Sequence, residues 1–219
     1  MKTKQEIVNL IVEQGMLPLF FNTSEEISIE ITRTLYKAGV RIIEYTNRGE
    51  RALVNFKALK NLQQTELPDL ILGIGTIKTA NQANEFVAAG TDFLISPIVS
   101  AEVAEIAASH NMLWIPGCMT PTEIHTAQNF NVPLIKIFPA NILGPGFVSS
   151  IKELFPGQLF MPTGGVELEQ ENITSWFKAG VCAVGMGSKL ITKQVMENHD
   201  YNRLYKDTLV AAALIKAGR

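Results

Sequence analysis

The chain has 219 residues, and its 19 Lys and Arg nearly balance its 21 Asp and Glu, for a formal net charge of −2. Without blocks of one sign, this charge offers little attraction for nucleic acid or an anionic membrane, so neither is expected as a partner. The length suits one sizeable core, and we expect residues 1–219 to form a single domain.

Short apolar runs alternate with amphipathic segments along the chain. Residues 4–14 carry Ile7, Leu10 and Ile11 at helical spacing, which predicts a first helix that ends at Gly15. Eight apolar runs after it predict eight strands, at residues 17–21, 40–46, 70–76, 91–97, 113–117, 134–139, 158–163 and 181–187.

The segments between these runs carry helix start and stop signals. Thr120 and Glu123 form a capping-box pattern, and Gly39, Gly90 and Gly180 each stand where a left-handed residue ends a helix before the next strand. Eight β-α units predict an α/β fold, a closed (β/α)8 barrel with an extra N-terminal helix, and an open doubly wound sheet is the alternative. In a barrel, catalytic residues lie at the carboxyl ends of the strands.

Lys136 lies in the middle of the apolar run Leu134-Ile135-Lys136-Ile137-Phe138-Pro139. A strand in a parallel sheet is covered on both faces, and burial disfavours the ammonium form of lysine. A neutral amine attacks carbonyl carbons and forms Schiff bases. The alternative is a lysine that reaches solvent or pairs with a carboxylate.

The second predicted strand contains Glu44 and is followed by Arg48. A carboxyl group among apolar residues is suited to act as a general acid and base, and a guanidinium holds a substrate carboxylate through two parallel hydrogen bonds. The alternative is that Glu44 belongs to a structural ion pair. Lys136 is a candidate partner of Glu44 under both interpretations.

Two further strand ends are expected to border the predicted active site. Gly73-Ile74-Gly75-Thr76 allows close backbone approach and leaves a hydroxyl at the end of the third strand, but it lacks the third glycine of a dinucleotide fingerprint. Ile95-Ser96-Pro97 ends the fourth strand and indicates a loop-setting element.

Glycine-rich turns follow the seventh and eighth strands, at Thr163-Gly164-Gly165 and Gly185-Met186-Gly187-Ser188. Such turns present backbone N–H groups to an anion, and in barrels the loops after the last two strands often hold phosphate. Tight turns that require glycine for geometry alone are the alternative. We favour a phosphate site because two such turns occur at these positions.

The remaining residue types predict a cytoplasmic protein without a metal. Cys118 and Cys182 lie far apart in apolar runs, which indicates two reduced core thiols, and His110, His125 and His199 form no pair with metal-ligand spacing. The N-terminus is too polar for a secretory leader, and no stretch approaches the length of a membrane span.

Together these motifs resemble the class I aldolases of the 2-keto-3-deoxy-6-phosphogluconate (KDPG) and 4-hydroxy-2-oxoglutarate (KHG) type, over essentially the whole chain. The resemblance implies that Lys136 forms a Schiff base with the keto acid and that Glu44 moves protons. It also implies that Arg48 and Thr76 hold the pyruvate carboxylate and that Pro97 shapes the pocket wall.

The same resemblance implies roles at the other end of the substrate. Thr163 would contact its hydroxyl region, and Gly164, Gly165 and Ser188 would bind the phosphate of the aldehyde half. The family is typically a homotrimer that uses no metal and no organic cofactor, so a homotrimer acting on a small keto acid or phosphosugar acid is expected. The gluconate derivative, its galactonate epimer and hydroxy-oxoglutarate all remain candidate substrates.

Four positions depart from the family pattern. Asn141 stands where glutamate is frequent, Ile98 where glycine is frequent, Gly49 in place of threonine and Met119 in place of serine. All four are expected at the pocket rim, so they concern the aldehyde half of the substrate more than the pyruvate half.

Two other functions compete with the aldolase interpretation. A phosphosugar barrel of the epimerase or decarboxylase type would use the lysine only as a charge, but it calls for a metal or a second acid pair, and no Asp/His cluster stands at the predicted strand ends. A non-catalytic phosphosugar-binding barrel would keep the glycine turns, yet it has no need for Glu44 and Lys136 on separate strands.

Overall fold

The computed structural model describes residues 2–219, in which strands and helices alternate along the chain. The strands of this part are β1 Met16–Phe20, β2 Ile42–Thr46, β3 Ile71–Gly75, β4 Phe93–Ile95, β5 Leu113–Ile115, β6 Gly117–Cys118, β7 Leu134–Ile137, β8 Leu159–Pro162 and β9 Val184–Met186. Its helices are α1 Lys4–Gln14, α2 Glu25–Lys37, α3 Ala52–Thr65, α4 Ala80–Ala88, α5 Ala101–Ser109, α6 Pro121–Gln128, α7 Ala140–Ile151, α8 Gln170–Ala179, α9 Lys193–Asn198 and α10 Tyr201–Gly218.

All paired strands run parallel and form a curled α/β sheet. Six strands follow the order β5-β4-β3-β2-β1-β9, and three follow the order β6-β7-β8. An isolated parallel bridge between Thr163 and Gly185 links the end of β8 to β9. Each predicted apolar run overlaps an observed strand, and the carboxyl ends of the parallel strands lie at one edge.

The fifth predicted strand, residues 113–117, is divided at Pro116. β5 pairs with β4 before the proline, and β6 pairs with β7 after it. Proline has no N–H to donate to a ladder, and only its carbonyl remains available. That carbonyl accepts a hydrogen bond of 2.9 Å from the backbone N–H of Lys136.

The helix boundaries confirm the predicted signals. Gly39, Gly90 and Gly180 have φ angles of 97°, 84° and 103°, in the left-handed region that favours glycine. Thr120 and Glu123 form the expected capping box at the start of α6. These glycines turn the chain from helix to strand in three of the repeating units.

Apolar side chains pack in two layers, one between the sheet and the outer helices and one inside the curl of the sheet. The inner layer includes Leu17, Ile42 and Leu134 near the amino ends of their strands, together with Ile7 and Ile11 of α1. Helix α1 thus covers the amino ends of the strands. The opposite edge carries the polar and glycine-rich loops.

The two thiols are unpaired, as predicted. Burial raises the pKa of the Cys118 thiol to about 12 and that of Cys182 to about 11. Cys118 is fully buried, whereas Cys182 is only partly buried, so the expectation of a core thiol is wrong for Cys182. No helix in residues 2–219 combines the length and apolar character needed to cross a membrane.

Candidate active site

The structure brings Lys136 and Glu44 together inside the sheet. Lys136 on β7 is 5% exposed and Glu44 on β2 is 1% exposed. The Lys136 Nζ lies 3.6 Å from the Glu44 Oε1, a distance within ion-pair range and just beyond a hydrogen bond. Two residues 92 positions apart in the chain meet because both point into the curl near the carboxyl ends of their strands.

The carboxylate of Glu44 is unusual because it is buried without a hydrogen-bond donor. Within residues 2–219, neither Oε1 nor Oε2 has a hydrogen-bond partner. Buried carboxylates in a structural role are normally satisfied by donors, since an unpaired buried polar group is costly. Glu44 therefore differs from Asp92, whose Oδ2 accepts bonds from Lys60, Gln63 and the backbone of Leu72.

Gly75 at the end of β3 provides the space that Glu44 occupies. A Cβ added at Gly75 would overlap the Glu44 Oε1 and lie 2.5 Å from its Cδ. The φ angle of Gly75 is not in the left-handed region, so the close approach of the carboxyl group is the reason that glycine is needed here. The glycine-rich motif of β3 thus serves the Glu44 side chain directly.

Phe138 and Pro97 flank the lysine. The Lys136 Nζ lies 5.4 Å from the centre of the Phe138 ring, within the range of a cation–π interaction. Gly117, the register partner of Lys136, lies against the backbone of Pro97, where an added Cβ would be 2.6 Å from the proline carbonyl. Pro97 is therefore in the wall beside the lysine strand.

Thr76 follows Gly75 with a φ angle of 64°. This region is rarely populated by a β-branched residue, and such backbone outliers concentrate at functional sites. Thr76 is partly exposed at the end of β3, next to the glycine that faces Glu44.

A cavity of about 270 Å³ opens at the carboxyl ends of the strands and is lined by several of the predicted residues. Arg48 and Ser188 line it as exposed residues, and Thr163, Gly164 and Gly165 also line it. Among residues 2–219, four predicted site residues do not belong to this lining: Lys136, Glu44, Thr76 and Pro97. Lys136 and Glu44 are buried beneath Phe138, which does line the cavity, and Thr76 and Pro97 lie on the β3–β4 side of the sheet.

The Thr163 turn is shaped by close contacts. The Thr163 Oγ1 is buried without a hydrogen-bond partner, and a Cβ on Gly185 would overlap it. Gly164 and Gly165 have φ angles of 94° and 73°, and a Cβ on Gly165 would lie 2.5 Å from the Cβ of Asn141. The two glycines are thus required both for the turn and for the approach of the α7 N-terminus.

A buried polar cluster on the outer face of β2 fixes the loop after β1. The Tyr45 hydroxyl donates a 2.8 Å hydrogen bond to the carbonyl of Asn22, and the Asn55 side-chain amide donates to the same carbonyl at 2.9 Å. Burial raises the pKa of the Tyr45 hydroxyl, which therefore remains a donor. The loop carries Phe21, which lines the cavity and packs against Gly49.

The sequence interpretation missed several contributors to this site. Phe138 stands two residues after Lys136, a spacing that places both side chains on one face of an extended chain. Lys189 follows the second glycine turn and lines the cavity, and Phe21 lines it from the first loop. The departures Ile98, Met119, Asn141 and Gly49 are all exposed, and among the described residues none of them lines the cavity, so their placement at the rim stays a prediction.

The arrangement defines the class of protein. A buried amine beside a buried carboxylate, next to a cavity with a guanidinium and glycine turns, is suited to enzymatic chemistry at a carbonyl group. Within residues 2–219, no group of three or more His, Cys, Asp or Glu side chains is placed to hold a metal ion. The residues that do converge are a buried amine and a buried carboxylate, Lys136 and Glu44.

Comparison with known proteins identifies the family. The family described as KDPG and KHG aldolase matches residues 7–206, and the chain belongs to this family of aldolases, which are lyases.

Two relatives align with nearly the whole length of this chain. The 2-dehydro-3-deoxy-phosphogluconate aldolase of Treponema pallidum is 31% identical over 191 residues, which cover 86% of this chain and 88% of that protein. The aldolase of the same name from Dickeya dadantii is 31% identical over 204 residues, 93% of this chain and 92% of its own.

Among solved structures, the KDPG aldolase of Legionella pneumophila is similar in fold, with a TM-score of 0.83 and 26% identity. The similarity covers 92% of this chain and 96% of that one. In that structure pyruvate is captured at low pH as a covalent carbinolamine intermediate.

Proposed function

We propose that the protein is a class I, Schiff-base aldolase. It cleaves KDPG to pyruvate and glyceraldehyde 3-phosphate, KHG to pyruvate and glyoxylate, or both. The observation that carries the proposal is the 3.6 Å separation of the Lys136 Nζ from the Glu44 Oε1, with both side chains buried and the carboxylate lacking a hydrogen-bond donor.

The first half of the proposed reaction forms the covalent adduct. The Lys136 amine attacks the C2 carbonyl carbon of the keto acid, a C–N bond forms and the carbonyl oxygen takes a proton to give a carbinolamine. Glu44 gives a proton to the departing hydroxyl, water leaves and a protonated imine remains. Glu44 lies close enough to Lys136 to serve both proton transfers after a small side-chain movement.

The second half breaks the carbon–carbon bond. A base removes the proton of the C4 hydroxyl, the C3–C4 bond breaks, and its electron pair moves towards the iminium nitrogen to give an enamine and a free aldehyde. The enamine is then protonated at C3, and water attacks the resulting imine to release pyruvate and regenerate the amine. Glu44 is the base in this proposal because its carboxylate oxygens make no other hydrogen bond.

The pyruvate half is held by residues around the lysine. Arg48 lines the cavity and offers a planar fork to the carboxylate, and Thr76 offers a hydroxyl at the end of β3. Pro97 forms the wall against Gly117, and the ring of Phe138 lies 5.4 Å from the Nζ. The family resemblance and the placement of Arg48 in the cavity lining support these roles.

The aldehyde half extends along the cavity away from Lys136. Thr163 contacts the substrate hydroxyls through its unpartnered Oγ1. Gly164, Gly165 and Ser188 bind the terminal phosphate, since left-handed glycines and a turn hydroxyl direct donors towards one anion. The part of the cavity lined by Thr163, Gly164, Gly165 and Ser188 thus takes the aldehyde half, and Arg48 lines the same cavity where the pyruvate carboxylate lies.

We also propose that the two sheets are parts of one closed (β/α)8 barrel that forms a single domain. β5 and β6 then act as one strand bent at Pro116, and the Thr163–Gly185 bridge joins β8 to β9. The backbone bond of 3.0 Å from the Cys182 N–H to the Phe160 carbonyl adds a second link between those strands. The homotrimer and the cytoplasmic location implied by the family stay predictions, the former checked by light scattering.

Trapping with borohydride tests the mechanism. Incubation with pyruvate and borohydride should add a reduced pyruvate adduct to the peptide that contains Lys136, and Lys136→Met should abolish it. The peptide that contains Lys60 is the internal control, since Lys60 is also buried but is paired with Asp92 at 3.0 Å. Glu44→Gln should slow turnover ~100-fold or more, a typical loss for a general acid–base group.

The outcomes separate the competing functions. Unchanged mass of the wild-type protein after this treatment would refute the Schiff-base mechanism and favour a phosphosugar barrel without a covalent adduct. An adduct on Lys60 as well as Lys136 would show that labelling does not report the site. A Glu44→Gln variant that loses phosphate-ester binding as fully as turnover would make Glu44 structural.

A further inference from the structure

A lysine that the proposed mechanism does not use stands at the edge of the cavity. Lys189 lines the cavity next to Gly187 and Ser188. Its Nζ forms an ion pair with the Glu167 Oε1 at 2.9 Å, with the two side chains 52% and 35% exposed. The pair bridges the loop after β8 and the loop after β9, the two loops that carry the glycine turns.

The Glu167 end of this pair is held in place. The Asn172 Oδ1 accepts a 3.0 Å hydrogen bond from the Glu167 backbone N–H, and the Asn172 side-chain amide donates to the Gly165 carbonyl at 3.4 Å. The same asparagine of α8 therefore ties the glycine turn to the backbone of Glu167. Lys189 extends from the other loop on a long, half-exposed side chain, which allows its ammonium group to turn from Glu167 towards the glycine turn.

We propose that Lys189 is a specificity-determining residue that exchanges Glu167 for the terminal phosphate of the substrate, and that the protein therefore favours phosphorylated keto acids over hydroxy-oxoglutarate. This inference rests on the proposed function. In the free enzyme Lys189 pairs with Glu167, and in the complex its ammonium group turns towards the anion in the glycine turns. No bond is made or broken in this exchange.

The charge of the anion decides whether the exchange is favourable. A phosphate monoester carries about −1.5 to −2 charges at pH 7 and has three strong acceptor oxygens, whereas Glu167 offers one carboxylate. Exposed ion pairs are weak, so Glu167 gives up Lys189 readily to a more highly charged group. A substrate that ends in a carboxylate merely matches Glu167 and gains little, and Lys189 then stays with its resting partner.

Steady-state kinetics on two substrates test this role. Lys189→Met should raise KM for KDPG at least about tenfold, the factor that corresponds to ~1.4 kcal/mol, and should change KM for KHG much less. Lys193→Met is the matched control, because Lys193 also pairs with a glutamate, Glu197, at 3.4 Å and is highly exposed. Glu167→Gln should lower KM for KDPG several-fold by removing the competing carboxylate.

Two further measurements keep this test independent of the proposed chemistry. Calorimetric titration with glyceraldehyde 3-phosphate measures anion binding without turnover and should show the same weakening in Lys189→Met. Borohydride trapping of pyruvate on Lys136 reports the mechanism separately. Trapping combined with equal KM values for Lys189→Met and Lys193→Met would overturn the inference and leave the aldolase proposal standing.

The opposite pattern is equally informative. Weakened binding of glyceraldehyde 3-phosphate in Lys189→Met without any trapped adduct would support the phosphate contact and refute the Schiff-base mechanism. A Glu167→Gln variant with a raised KM for KDPG would show that Glu167 positions Lys189 for the anion, which contradicts the exchange.

Discussion

Gly75 offers a way to displace Glu44 without changing any polar group. In Gly75→Ala the new Cβ would overlap the Glu44 Oε1 and lie 2.5 Å from its Cδ and 2.9 Å from its Cγ. Ordinary contacts between nonbonded carbons are ~3.5–4.0 Å, so the carboxyl group must move by on the order of 1 Å. The backbone of residue 75 tolerates alanine, because its φ angle is outside the left-handed region.

The expected loss falls on turnover more than on folding. A misplacement of ~1 Å at a catalytic group lowers the rate ~100-fold, whereas overpacking by one methyl group costs about 1–3 kcal/mol of stability. The assay is kcat for KDPG cleavage, coupled to pyruvate detection, with denaturant unfolding measured on the same preparation. Glu44→Asp in the Gly75→Ala background removes one methylene and should recover part of the lost kcat relative to Gly75→Ala alone.

Gly73→Ala is the matched control on the same strand. Its added Cβ would overlap the ring of Phe93, an apolar side chain, and not the Glu44 carboxylate. This variant should lose stability of similar size and keep a kcat close to that of the wild type. A folded Gly75→Ala protein with unchanged kcat would refute the argument that the position of the Glu44 carboxylate governs the rate.

Two other predictions follow from the cavity and the thiols. Arg48→Lys replaces the planar guanidinium by a single ammonium charge, so KM for the keto acid should rise about tenfold with a smaller change in kcat. The same coupled assay measures both constants, and an unchanged KM would contradict a bidentate contact. The free energy of unfolding should fall as the pH rises from 9 towards 12. Burial in the folded state raises the thiol pKa of Cys118 to about 12 and that of Cys182 to about 11, so the unfolded chain loses these protons at a lower pH than the folded chain. Urea unfolding between pH 8 and 11 measures this dependence. In Cys182→Ala the decrease of the unfolding free energy with pH should be smaller by up to ~1.4 kcal/mol per pH unit. An unaltered pH dependence would contradict a raised pKa for Cys182.

The fold and the central pair follow from local patterns. Each strand is a short apolar run bounded by polar or glycine residues, and a single charge within such a run identifies Lys136 and Glu44. The left-handed glycines Gly39 and Gly90 are also readable, because they follow an amphipathic segment and precede an apolar run. Patterns of this kind need only neighbouring residues.

Other features depend on how neighbouring strands align with each other, and the sequence alone does not specify that alignment. Nothing local indicates that Gly75 faces Glu44, since the contact depends on the alignment of β2 with β3. The division of the fifth strand at Pro116 depends on which neighbour each half meets. The left-handed backbone of Thr76 contradicts the usual preference of a β-branched residue, and the Lys189–Glu167 pair joins two loops by side chains alone.

Consecutive residues of β2 serve two different purposes. Glu44 points into the curl of the sheet, and Tyr45 points outward to hold the Asn22 carbonyl and hence the loop that carries Phe21. The cavity wall at Phe21 is therefore anchored to the strand that carries Glu44. Substitutions that widen the cavity should therefore leave Tyr45 and Asn55 intact, because these two residues hold the loop that carries Phe21.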